Sequence, residues 1–134
     1  LSEQDGQVFH ASLLRCLDTP AFLEEFYEVF VAASDEIRQM FKDTDFTRQR
    51  RALSASLYSL AVAAQAGPRS PAWAEMNRLA RLHKDLGVRA DHFEVWLDCL
   101  MQTARRHDPQ FTPEIEEAWR RSLRTGIDYM LARY

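Results

Sequence analysis

The chain has 134 residues, 46% hydrophobic and 28% charged, with a formal charge of −3. That length fits one domain able to bury a continuous core, and the composition belongs to ordinary folded proteins rather than to disordered chains. The mild acidity argues against a nucleic-acid partner, which needs a concentrated positive surface, and no run approaches the ~20 apolar residues of a membrane span.

Read in order, the sequence predicts only helices. A first helix spans 2–17, starting at Ser2 and stopping at Asp18. The second, 20–33, opens at Thr19-Pro20, where a hydroxyl caps the free amides and proline at the first helical position loses no bond. Its inward stripe is Leu23, Phe26, Tyr27 and Phe30. Ser34 starts a short helix over 35–41, and "KDTD" breaks the chain before a helix over 47–65 led by Thr47. That helix places Leu53, Leu57, Leu60 and Ala64 on one line, and one turn back the line reaches Gln49. "AGPRS" separates it from a helix over 71–86, opened by Ser70-Pro71 and stopped by Gly87. Asp91 starts a helix over 91–107, "DPQF" ends it, and Thr112-Pro113 opens the last, 113–133. No segment alternates with the period of a strand, and there is no repeat or linker.

Three polar side chains lie on lines that should be carbon: Tyr27, Gln49 and His83, the last behind Met76, Leu79 and Ala80. Each has an ordinary account alone, because a buried histidine or tyrosine usually bonds a nearby carbonyl and a first-turn glutamine can reach water. An unpaired buried polar group costs on the order of 1–3 kcal/mol, so three converging from three helices call for a purpose. His10, His92 and His107 read as surface residues, and "TRQRR" (47–51) as a solvated face. Cys16 and Cys99 lack metal-ligand spacing and read as buried reduced thiols. There is no phosphate loop, nucleophile elbow or zinc framework, so any chemistry requires a cofactor. A cytoplasmic protein is the default expectation. The chain opens "LSEQDG" without methionine, as a trimmed chain or a piece of something longer would.

The order of Tyr27 in "EFYEVF", Phe41 in "QMF", Gln49 and Leu53 in "RQRRAL" and His83 in "LARLH", then "HFEVWLDCL" and "EAWRRSLRTGIDYML", resembles the globin family over nearly the whole chain. The likeness is to bacterial single-domain globins and the globin portion of flavohaemoglobins. It implies an all-α globin domain over 1–134, about seven helices around a haem pocket, with helices crossing at about 50°. By the same resemblance haem b is the cofactor and His83 is the axial iron ligand. Its other ring nitrogen would donate to the Leu79 carbonyl, a bond that fixes the tautomer. Tyr27 and Gln49 would form the distal pair that receives the gas, with Phe41 and Leu53 beside the porphyrin. Leu79, Val88, Phe93 and Leu97 would complete the haem-binding set. Arg48, Lys84 and Arg89 lie close enough in sequence to reach the haem propionates.

The resemblance implies reversible binding of dioxygen, carbon monoxide and nitric oxide, serving oxygen binding or transport. Flavohaemoglobins reinforce the proximal histidine with a tyrosine and a glutamate, and the matching places here are Phe93 and Tyr134. Neither can hold a carboxylate against the imidazole, so the push toward O–O cleavage should be weaker. Nitric-oxide dioxygenation would need a separate reductase. "HKDLGV" also resembles globin-coupled sensors, which leaves open a gas-sensing module, although the extra N-terminal helix and output domain of those proteins are not in this chain. A homodimer stays open.

Overall fold

A computed structural model describes residues 3–67 and 69–134, which form seven helices. They are α1 (Glu3–Leu17), α2 (Ala21–Ala32), α3 (Asp35–Met40), α4 (Phe46–Ala66), α5 (Trp73–Asp85), α6 (Ala90–His107) and α7 (Pro113–Leu131). The all-α expectation holds, and the punctuation explains most boundaries. Ser34 Oγ accepts the Ile37 amide at 3.1 Å, and Thr112 Oγ1 accepts that of Ile115 at 3.2 Å, with proline next in line. Thr19 and Ser70 accept the amides of Ala21 and Ala72, so each hydroxyl organises the turn that leads into its helix. Ser2 falls outside the described residues.

The caps of α2 and α5 fall one and two residues beyond the predicted hydroxyls, at Pro20 and Ala72, and two further starts also differ from the prediction. Asp45, not Thr47, caps α4, because its carboxylate takes the Arg48 amide at 3.3 Å. At α6 the cap position belongs to Arg89, whose own N–H donates to Nδ1 of His92 at 2.9 Å. An imidazole there does the job a glutamate does in a capping box. Gly87, at φ +77°, supplies the left-handed turn that ends α5.

The core centres on Trp119 of α7, fully buried, with Phe9 of α1 edge-on at 4.9 Å and Phe22 of α2 at 6.3 Å. Helix α1 lies against α4 and α7, α2 against α6, and α5 against α7. Gly126 lets α7 approach α4, for a Cβ there would stand 2.9 Å from both Leu60 methyls. Cys16 and Cys99 are buried free thiols, and burial pushes Cys16 up to about 12. No helix among the described residues is long and apolar enough to cross a membrane.

A polar relay threads this core. Trp119 Nε1–H donates to Ser12 Oγ at 2.8 Å, Ser12 donates to Asp108 Oδ2 at 2.6 Å, and Arg15 closes on both Asp108 oxygens at 2.7 and 2.9 Å. Burial alone would raise the Asp108 pKa, but these donors and the Gln110 amide outweigh it and hold the carboxyl below its ordinary value. Arg15 is about a quarter exposed and regains water when unpaired, so Asp108→Asn should cost only about 1 kcal/mol in denaturant unfolding at neutral pH. The contribution is complete above the unfolded pKa, about 3.9, and disappears as pH falls through the lower folded one, so the two proteins should converge in acid.

Candidate functional site

A cavity of about 570 Å³ opens among α2–α7, within the range of about 300–1,000 Å³ usual for small-molecule sites. Its walls are mostly carbon: Phe30, Ile37, Leu57, Leu60, Met76 and Ile127 from five helices. Tyr27, Phe41, Gln49, Leu53, Leu79, His83, Val88 and Phe93 all line it. Leu97 does not; it is 1% exposed and belongs to the core, because its turn of α6 carries Phe93 and Trp96 to the wall instead.

Gln49 Nε2 donates to the Tyr27 oxygen at 3.1 Å. With its oxygen accepting, the phenol keeps its own proton free to donate, and one amide N–H of Gln49 remains uncommitted. Burial pushes Tyr27 up to about 12 against the opposing bond from Gln49, so the hydroxyl stays protonated. Rings surround it: Phe26 at 4.9 Å, Phe46 at 5.5 Å and Phe41 at 5.9 Å.

His83 Nδ1 lies 2.7 Å from the Leu79 carbonyl. A carbonyl only accepts, so Nδ1 carries the proton and the lone pair sits on Nε2, which has no hydrogen-bond partner among the described residues. Burial lowers the His83 pKa against that bond and favours the neutral ring. Phe93 stands edge-on to the imidazole at 5.5 Å, and the buried Tyr134 hydroxyl has no partner among the described residues. A lowered imidazole pKa makes stability complete above about 6.5 and lost as pH drops below it toward the folded value. The stability of the haem-free chain should therefore fall between pH 7 and 5, and that of His83→Gln should fall less over the same interval.

His92 corrects the sequence reading. It is 6% exposed, lines the cavity, and bonds Glu36 through Nε2. His107 is half-buried with Nε2 2.5 Å from Glu25, and His10 is half-buried with Gln65 at 2.6 Å and Tyr58 against its ring. All four of these partners lie more than forty positions away in sequence. Arg48, Lys84 and Arg89 are absent from the lining; Arg78, paired with Glu75, is the cationic side chain that reaches it. A second hollow, of about 540 Å³ beside Phe111, is walled by the mutually paired Arg105, Glu116 and Arg120.

Among the described residues, seven helices bring an imidazole and a phenol–amide pair to one largely apolar cavity, the architecture of an all-α protein. Residues 24–130 match the globin family, and the chain belongs to it. It is similar to a Pseudomonas aeruginosa protein described as structurally highly homologous to a human haemoglobin. The two are 28% identical, with a TM-score of 0.89, over 97% of this chain and 98% of that one. Among curated proteins nothing matches.

The globin fold implies haem and a gaseous ligand. The cavity fits that group on three counts. Its volume and carbon walls suit a flat macrocycle, a neutral imidazole offers one free lone pair, and apolar side chains crowd the mouth. Leu82, Leu86 and Met40 line the cavity yet are 43%, 63% and 38% exposed, so a planar apolar ligand would take them out of water.

Proposed function

We propose that this globin binds haem b through His83 and serves as a reversible binder of dioxygen and other diatomic gases. The observation that carries this reading is the pairing of a free Nε2 lone pair on His83 with the Tyr27–Gln49 donors inside one apolar cavity. Haem iron supplies the reversible affinity for diatomic gases. The protein's part is to hold the imidazole neutral and oriented, present an O–H and an N–H to the gas, and exclude water with Phe41, Leu53, Val88 and Phe93. Dioxygen, more polar than carbon monoxide when bound, gains more from those donors.

Transport or storage is favoured over peroxide chemistry because the Nδ1–H of His83 goes to a neutral carbonyl rather than a carboxylate, leaving the imidazole a weak electron donor. Nitric-oxide dioxygenation with an external reductase is the second reading, supported by the same donors. Titrating the purified chain with ferric haem tests the proposal. A Soret band saturating at one haem per chain, shifting reversibly with oxygen and carbon monoxide after reduction, is expected; a band that never saturates would refute it. Steady-state nitric oxide consumption with a reductase would distinguish a catalyst from a carrier.

A further inference from the structure

His92 belongs to a cluster at the edge where α3 meets the corner between α5 and α6. Its Nδ1 accepts the Arg89 amide at 2.9 Å. A backbone amide only donates, so the ring proton sits on Nε2, and that N–H is given to Glu36 Oε1. The same oxygen receives Arg89 Nη2 at 2.6 Å, while Arg89 also grips Asp91 at 2.9 and 3.0 Å. Glu36, Asp91 and His92 have the spacing of a cation site. With the proton on Nε2 the imidazole has no lone pair to give, and the Arg89 guanidinium already supplies the positive charge.

What this cluster joins is significant. Helix α3 has six residues and a single buried one, Ile37. Ile37, Met40 and Phe41 line the cavity on its side; Leu86, Val88 and His92 line it on the other. One carboxylate therefore ties two walls of the cavity together at one edge. His92 and Arg89 hold the Glu36 carboxyl below its usual range, so it remains charged at neutral pH.

We propose that Glu36 is a latch: through His92 and Arg89 it fastens α3 to the α5–α6 corner and limits how readily the cavity opens there to take up or release its cofactor. The cofactor part rests on the haem reading. A carboxylate 54% exposed is within reach of salt screening, so the latch should loosen as ionic strength rises.

The test is Glu36→Gln in the haem-reconstituted protein, with excess apomyoglobin as acceptor of the released haem. Release should quicken roughly 3–30-fold at low salt, the range spanned by exposed pairs and charge-assisted bonds. Sodium chloride should accelerate the parent protein and leave the variant nearly unchanged, so the two converge. Arg38→Gln, which removes the exposed Asp35 pair on the same helix, should release at the parent rate. Equal release from Glu36→Gln and parent, at every salt concentration, would overturn the latch. Amide exchange in the haem-free chain tests it independently: residues 37–40 should exchange several-fold faster in Glu36→Gln while α2 is unaffected. Unchanged exchange at 37–40 overturns the latch whether or not haem binds, whereas a parent protein without a Soret band overturns only the haem reading.

Discussion

Replacing His83 by glycine should reduce haem affinity by more than about 100-fold while leaving the helical fold in place. Altering even the outer partners of a metal ligand costs about 10–100-fold, and here the ligand itself would go. The fold should survive because His83 is only half-buried and its single bond is to the carbonyl one turn back. Imidazole added to the solution should enter the space left by the side chain and restore the Soret band. Haem titration with and without imidazole checks this, and far-ultraviolet circular dichroism checks the fold. A variant that binds haem like the parent would remove His83 from the role.

Tyr27→Phe carries the second largest effect. The phenol is held by three aromatic neighbours and by Gln49, so phenylalanine should keep the cavity's shape and delete only the donor. A hydrogen bond to a charged or strongly polar acceptor contributes about 1.5–3 kcal/mol, which converts to oxygen dissociation about 10–100-fold faster. Carbon monoxide dissociation should change much less. Gln49→Leu should act more weakly on oxygen, because one of its N–H groups is engaged with Tyr27 rather than facing the gas. Stopped-flow ligand replacement measures all three rates. Oxygen kinetics identical in Tyr27→Phe and parent would take the phenol out of the account.

The helices were legible because each signal was local. Ser34 and Thr112 cap the amides three residues on, and the α2 stripe of Leu23, Phe26, Tyr27 and Phe30 is buried as its period implied. The bond from His83 to Leu79 spans four residues of one helix, so it too could be anticipated. His92 could not be, since a first-turn residue reads as exposed unless its partner is known, and Glu36 lies 56 positions away. Arg78 reaches the cavity and Leu97 misses it for a related reason: the lining depends on how six helices approach one another, which no single periodicity encodes. Helix α4 starts earlier than Thr47 implies because the Asp45 carboxylate, two residues before it, accepts the Arg48 amide.

The central claim is that His83 Nε2 grips iron in the cavity beneath Tyr27 and Gln49. A crystal structure of the haem-reconstituted protein tests it most directly. The expected result is an iron bonded to Nε2 of His83, Nδ1 still on the Leu79 carbonyl, and the macrocycle covering Leu82 and Leu86. Iron held by another side chain, or a porphyrin lodged outside this cavity, would contradict it.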